Sequence, residues 1–289
     1  MTAVAPPSVG STPGGSGAFE AELAFSVAIA ARAGKLQVER AERVGRIDFK
    51  SARDVVTEVD HLSEALILDA IRAAFPGDAI LAEETGEHLT AEGHGPTSGI
   101  GRVWIVDPLD GTINYANGIP FHCVSIGLAK NGRPVVGVVH DPMRGETFAA
   151  TADGAATLAG ASAPGGQPVG VSTKDLLSDF VVSLSLSGRG VATRARAVRK
   201  AIRVSRSMGS AALALAYVAN GRFDAMVQQG GLSTWDIAAA GLIAERAGAI
   251  VTDLDGGPWF DLARGPKTIG LLAAPAAQHV ALLKMVAGR

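Results

Sequence analysis

Asp107, Asp110, Gly111 and Thr112 follow directly on an apolar run, Val103-Trp104-Ile105-Val106, in the order VWIVDPLDGT. Two carboxylates beside a Gly-Thr step can hold a divalent cation. The amides after Asp110 can hold a phosphate if a helix begins there. Val103 to Val106 predicts a buried strand. Pro108 cannot donate to a ladder, so the strand is expected to stop near Asp107. Gly111 allows a sharp turn or a close approach. The pattern recurs upstream, where Ala79 to Ala82 predicts a short apolar strand ending in Glu83-Glu84-Thr85. Asp236 follows Trp235 in the first turn of a predicted helix, Thr234 to Ala247. Taken singly, each acid has an ordinary explanation: Asp, Pro and Gly are common in turns, and a carboxylate suits a helix start. Brought together, Glu83, Asp107, Asp110 and Asp236 would repel one another strongly without a counterion. Mg2+ answers that need, since it prefers oxygen ligands and keeps waters and phosphate oxygens. Two such ions can activate a water and stabilise a leaving oxygen in phosphoryl transfer. The six histidines are scattered, with no pair at zinc spacing.

The elements that must position these acids alternate between strand and helix. With 289 residues, 47% of them hydrophobic, the chain can build a large core in one domain or two tightly joined halves. Its net charge of −2 gives no reason to expect nucleic acid or an anionic membrane, and no apolar run is long enough to span a bilayer. Cys123 is the single cysteine and sits in an apolar run, which points to a core residue in a reducing cytoplasm. Met1 to Gly17 reads as a disordered tail. Helices are expected over Glu20 to about Glu42 and over Asp54 to Phe75, where Thr57 and Asp60 resemble a capping box. Gly86 to Gly101 reads as a flexible loop. Phe121 to Ala129 and Pro134 to His140 are expected strands joined by a turn at Asn131-Gly132. More sheet is expected over Thr147 to Ala159. Ser162 to Pro168 reads as a linker between an N-terminal half, 18–165, and a C-terminal half, 166–289. In the second half, strands are expected at Phe180 to Leu186, Ile202 to Ser205, Phe223 to Gln228, Ala249 to Thr252 and Thr268 to Ala273. Helices are expected at Val191 to Ala201, Gly209 to Asn220, Thr234 to Ala247 and Ala276 to Val286. The class is layered α/β or α+β with mixed sheets.

Several separated motifs resemble the inositol monophosphatase family of magnesium-dependent, lithium-sensitive phosphatases. They are KSARDVVTEVD (Lys50 to Asp60), ILAEETG (Ile80 to Gly86), WIVDPLDGTINYANGIPFHCVSI (Trp104 to Ile126), RSMGSAA (Arg206 to Ala212) and WDIAAAG (Trp235 to Gly241). The resemblance implies a layered α-β-α-β-α sandwich, a homodimer, and hydrolysis of a small phosphorylated metabolite. It also implies site roles. Glu83, Asp107 and the Leu109 carbonyl match ligands of a first Mg2+. Asp107, Asp110 and Asp236 match those of a second, with a third, weakly held ion left open. Gly111 and Thr112 match phosphate-binding amides. The Thr112 hydroxyl with Asp60, alongside Glu83, matches the group that activates water. Gly209, Ser210 and Ala211 match substrate contacts.

One position departs. Gln229 lies where inositol-specific members carry a glutamate, so the pocket loses a charge there. Inositol 1-phosphate is the first expected substrate, with histidinol phosphate and fructose 1,6-bisphosphate as alternatives on one scaffold. An alternative of another class is a regulatory protein that binds RNA or the transcription machinery through the basic segment Arg189 to Arg206. A solvated helix face is the preferred reading of that segment, so nucleic acid is not expected as a partner. Lys50 is a candidate to offset the site's negative charge. Trp104 and Trp235 are expected to pack beneath it.

Overall fold

A computed structural model describes residues 17–41, 47–51, 54–90, 93, 95, 101–186 and 191–287, with the backbone alone for 47–51 and 54–56. The expected tail, the Lys50 side chain, Arg189 and much of the loop expected over 86–101 lie outside the described residues. In chain order the elements are α1 (Glu20–Arg40), β1 (Ile47–Ser51), β2 (Asp54–Thr57), α2 (Glu58–Ala74), β3 (Ala79–Ala82), β4 (Gly86–His88), β5 (Arg102–Asp110) and α3 (Thr112–Ala116). Next come β6 (Cys123–Lys130), β7 (Arg133–Asp141), β8 (Glu146–Thr151), β9 (Thr157–Gly160), β10 (Ala163–Pro168), β11 (Val181–Ser185), α4 (Ala192–Ala201) and β12 (Val204–Arg206). The chain closes with α5 (Ala211–Val218), β13 (Ala225–Leu232), α6 (Thr234–Arg246), β14 (Ile250–Thr252), β15 (Ile269–Ala274) and α7 (Ala276–Val286).

Two mixed sheets organise these elements. The larger has eight strands in the order β10-β9-β8-β7-β6-β5-β3-β4, and the smaller has five, β12-β11-β13-β15-β14. The β1-β2 pair stands apart. Ile29, Ala33, Ile67 and Ile71 of α1 and α2 pack on one face of the large sheet against Trp104, Ile126 and Val138. Between the sheets lie α5 and α6, where Leu213, Leu215, Ile237 and Ile243 meet Val139 and Phe148 on one side and Met226 and Leu271 on the other. The far face of the small sheet is covered by α4 and α7 through Val198, Leu282 and Val286. The result is the expected five-layered α-β-α-β-α order. Trp104 and Val106 face α1 and α2 while Val103 and Ile105 face Ala238 of α6, so β5 is apolar on both faces.

α6 lies unusually close to the large sheet. A Cβ at Gly137 would stand 2.5 Å from the Ala239 carbonyl oxygen, and one at Gly127 would stand 3.1 Å from the Ala238 Cβ. Glycines on β6 and β7 and the alanine run on α6 thus set the spacing between these layers.

Four expectations change. The helix expected from Asp54 starts at Glu58, because Thr57 caps it and the residues before it pair with β1. Part of the expected 86–101 loop is strand: β4 turns back on β3, with Ala82 opposite Gly86. The expected linker at 162–168 is mostly β10, the edge of the large sheet, where a proline costs no ladder bond. β5 does not stop at Asp107. It continues to Asp110 through a break in register, with Asp107 opposite Ser125 and Asp110 opposite Cys123. Pro108 lies within that bulge and needs no ladder donor there. The hairpin turn is as expected, with left-handed φ of 50° at Asn131 and 73° at Gly132.

Candidate functional site

Parallel pairing of β3 with β5 brings their carboxyl ends side by side, and Ala82 opposite Val106 sets Glu83 beside Asp107. The Glu83 amide donates to the Val106 carbonyl at 3.1 Å, which continues that register by one step. The bulge in β5 then aims Asp107 and Asp110 into the same space. Asp107 Oδ1 accepts from the Leu109 amide at 3.0 Å, which shapes the turn around Pro108. From behind, the buried Gln37 of α1 donates through Nε2 to the Pro108 carbonyl at 2.7 Å, and the Tyr115 hydroxyl donates to the Gln37 carbonyl at 2.8 Å.

Asp236 arrives from the other half of the chain. It is the third residue of α6 and forms a capping box with Ser233, whose amide donates to Asp236 Oδ2 at 2.6 Å. Oxygens of Asp107, Asp110 and Asp236 lie within 4.8 Å of one another. Asp107 shares hydrogen bonds with both Glu83 and Asp236. Burial, and then the charges of Glu83, Asp110 and Asp236, hold the Asp107 carboxyl well above the usual carboxylate range. Burial, and then the charge of Asp110, do the same to Asp236. Asp110 is raised by burial too, opposed by hydrogen bonds from Ser210 and the first amides of α5. Its Oδ2 accepts from Ser210 Oγ and from the Ala212 amide, both at 2.6 Å. Carboxyls pushed up this far are crowded for want of positive charge, and the donors are all oxygens. The cluster can therefore hold a hard divalent cation.

A second capping box delivers Asp60. Thr57 donates to Asp60 Oδ2 through its amide at 2.7 Å and its hydroxyl at 2.5 Å. Asp60 Oδ1 accepts from Thr112 Oγ1 at 2.9 Å, and Thr112 Oγ1 also lies 3.1 Å from the Leu109 carbonyl oxygen. Asp60 is fully buried, and burial raises its carboxyl against the pull of these donors. Gly111 turns the chain from β5 into α3 with a φ of 96°. A Cβ there would stand 3.1 Å from the Phe121 carbonyl and 3.2 Å from Ser210, so glycine is required twice over.

The structure thus brings Asp60, Glu83, Asp107, Leu109, Asp110, Gly111, Thr112 and Asp236 into one region. Asp107, Leu109, Gly111 and Thr112 line a cavity of about 140 Å³. It shares Glu83, Asp110, Gly209 and Asp236 with a neighbouring cavity of about 260 Å³. Ser210 and Ala211 line the larger one, beside Met208. Asn114 draws this segment in, its Nδ2 donating to the Met208 carbonyl at 2.7 Å and to the Phe121 carbonyl at 2.6 Å.

Two expectations need correction. Gln229 does not line either cavity, whereas Gln228 lines the larger one, on the strand face it shares with Met226. Side chains alternate along a strand, so a one-residue difference reverses the face. Gln229 Oε1 is instead buried with no hydrogen-bond partner. Trp104 packs in the core as expected, but Trp235 lines the larger cavity. Ser183, Ser185 and Lys267 also line it and carry no motif that singles them out, whereas Ser207, which lines it too, lies within the RSMGSAA motif.

A model of the inositol monophosphatase family matches residues 20–286. A Salmonella typhimurium protein named Nus factor SuhB is 36% identical over 237 residues, 81% of this chain and 86% of that protein. A Thermotoga maritima fructose-1,6-bisphosphatase/inositol-1-monophosphatase is 34% identical over 239 residues, 81% of this chain and 85% of that protein. The crystal structure of the extragenic suppressor protein suhB from Bartonella henselae superposes with a TM-score of 0.82 at 31% identity, covering 92% of this chain and 98% of that one. A relative named as a Nus factor removes the support for expecting no nucleic-acid-linked partner.

Proposed function

The chain belongs to the inositol monophosphatase family, and we propose that it hydrolyses a small phosphate monoester with Mg2+, inositol 1-phosphate being the first candidate. The observation that carries this reading is the group of Asp107, Asp110 and Asp236 oxygens within 4.8 Å of one another, with Glu83 against them. Glu83, Asp107 and the Leu109 carbonyl would hold one Mg2+. Asp107, Asp110 and Asp236 would hold a second. Mg2+ bound there would neutralise the carboxylates, polarise the phosphoryl group and lower the pKa of water.

The rest of the chemistry belongs to the chain. Thr112 Oγ1 donates its hydrogen bond to Asp60 Oδ1, which leaves lone pairs on the Thr112 oxygen to accept from a water. Asp60 is fixed by its cap and holds a proton more readily than an exposed carboxylate. It can therefore take the proton relayed through Thr112 as the water oxygen attacks phosphorus and the ester P–O bond breaks, the leaving alkoxide taking a proton from solvent to depart as the alcohol. Glu83 supplies a further acceptor on that water. The amides of Gly111 and Thr112 face the phosphate, and Gly209, Ser210 and Ala211 form the wall on which the rest of the substrate lies. This reading puts most of the acids in an N-terminal half, 18–165, and Asp236 with the substrate wall in a C-terminal half, 166–289. A homodimer follows from the family resemblance. A cytoplasmic setting suits the free, buried Cys123.

Phosphate release from inositol 1-phosphate, histidinol phosphate, fructose 1,6-bisphosphate and adenosine 3′,5′-bisphosphate, each with Mg2+ and with EDTA, tests the reading. One preferred substrate, silent in EDTA, is the expected result. Folded protein that releases phosphate from none of them would overturn it. A second reading, a regulatory role beside the transcription machinery, is favoured by the Nus-factor relatives and by exposed Arg196, Arg199, Lys200 and Arg206. Salt-dependent retention of RNA is its test, and elution independent of salt would count against it.

A further inference from the structure

Glu64 is a carboxylate in a place that ordinarily excludes one. It lies on the face of α2 that also buries Ile67, Leu68 and Ile71, and it is 2% exposed. Its Oε2 accepts from the Glu84 amide at 2.9 Å, across 20 residues of chain. Its Oε1 is buried with no hydrogen-bond partner. Burying a carboxylate and leaving one oxygen unpaired costs free energy, which calls for a reason other than packing.

The turn that Glu64 grips carries Glu83. Three residues, Glu83 to Thr85, join β3 to β4, with Ala82 opposite Gly86 and a left-handed φ of 78° at Gly86. The Glu83 amide is held by the Val106 carbonyl at 3.1 Å, and the next amide, that of Glu84, is held by Glu64. Two successive amides pinned from two elements fix the backbone on both sides of the Glu83 side chain. That side chain shares a hydrogen bond with Asp107 and lines both cavities.

Helical spacing makes this part of a larger device. Asp60 and Glu64 lie four residues apart, so they stand one turn apart on the same side of α2. Asp60 reaches Thr112 on the turn after β5, and Glu64 reaches Glu84 on the turn after β3. One helix, seated on the large sheet by Ile67 and Ile71, thus grips both turns that deliver the acidic cluster. We propose that Glu64 is a positioning residue that holds the Glu83 carboxylate in place for a divalent cation. The inference rests on reading Glu83 as a ligand of that cation.

Mg2+ titrated into the full chain without substrate tests this apart from turnover. The readouts are the heat of binding and the rise in melting temperature with Mg2+. Glu64→Leu removes the acceptor with little change of volume. It should weaken Mg2+ binding about tenfold or more, the usual weight of a partner behind a metal ligand. Glu64→Gln keeps an acceptor for the Glu84 amide and should restore most of the affinity. Glu64→Asp keeps the charge but loses the reach, so it should also weaken Mg2+, which covers a leucine variant that fails to fold. Ile67→Ala hollows the same helix face in the core. It should lower the melting temperature and leave Mg2+ affinity unchanged. Because Glu64 acts through Glu83, Glu64→Leu should add nothing in a chain that already carries Glu83→Gln. Wild-type affinity in both Glu64→Leu and Glu64→Asp, an equal loss in Ile67→Ala, or full additivity with Glu83→Gln overturns the proposal. A wild type without any response to Mg2+, or a Glu83→Gln variant that binds as wild type does, sinks the reading of Glu83 as a ligand and the proposal with it.

Discussion

The cavity pair has an acidic end, lined by Asp107, Leu109, Gly111 and Thr112, and a far end, the wall at Gln228, Gly231 and Lys267 that the larger cavity does not share with the smaller. The two are held in different ways. At the acidic end each carboxylate is fixed by its own element: Asp107 and Asp110 by the β5 bulge, Asp60 and Asp236 by capping boxes at the third position of α2 and α6. The far end has a different frame, with no capping box: the Lys267 amide donates to Ser233 Oγ and its carbonyl accepts from the Gly231 amide, both at 3.0 Å. Gly230, Gly231 and Lys267 all take left-handed backbone, β13 loses register with β15 between Gln228 and Leu232, and Lys267 is exposed. The lesson is that reaction and selectivity are encoded at different ranges. On the proposed reading, the chemistry rests on short motifs that recur along the chain, and substrate preference on how two distant turns meet. Such a division would let one acidic end serve many substrates.

The strongest way to break the comparison is Asp110→Asn. It removes one negative charge with almost no change of shape, and its oxygen can still accept from Ser210 and Ala212. Turnover with Mg2+ should fall by more than about a hundredfold, since residues that merely orient metal ligands are worth roughly 10- to 100-fold. The melting temperature should hold or rise. Near wild-type activity would refute the role given to the acidic cluster. A weaker blow comes from Gly137→Ala, far from any substrate. Its new methyl would meet the Ala239 carbonyl, push α6 off the large sheet, and cost about 1–3 kcal/mol of stability. It should also raise the Mg2+ concentration needed for half-maximal rate, because Asp236 rides on α6. Unchanged magnesium dependence would show that the acidic end tolerates a shifted helix. The smallest effect tests the far end. Gln228→Glu should shift the ratio of inositol 1-phosphate to fructose 1,6-bisphosphate turnover by roughly fivefold, about 1 kcal/mol, in favour of the monophosphate. Gln229→Glu should leave that ratio alone and lower stability, since it places a charge where the Gln229 Oε1 is buried without a partner. Equal shifts from both would erase the distinction drawn between these neighbours.

The same division explains what could be read from the chain before its fold was known. Asp107, Asp110 and Glu83 announce themselves because an apolar strand running into acids is a local pattern. Thr57 with Asp60 is legible too, since a capping box spans only a few residues. The layered architecture follows from alternating periodicities, and strongly buried strands such as Val103–Val106 are hard to mistake. What was hidden depended on register or on partners far along the chain. Gln228 and Gln229 are adjacent and chemically identical, and only the strand's phase says which one faces the cavity. Gln37 reaches Pro108 across 71 residues, with nothing local to mark it. β10 was hidden for another reason: its Pro and Gly content reads as a linker, and an edge strand tolerates that composition.

The bonds from Ser210 and Ala212 to Asp110 span 100 and 102 residues, and this separation has a consequence for synthesis. Asp60, Glu83, Asp107 and Asp110 leave the ribosome first, long before α5 or Asp236 exists. For that interval the nascent chain carries an acidic cluster without the helix cap that steadies it and without its last carboxylate. Competence arrives late and all at once, after residue 236 has emerged and α6 has docked on the large sheet. On the proposed reading, a chain truncated before that point would keep the central motif yet lack Asp236, so an interrupted product would be inert rather than half-active.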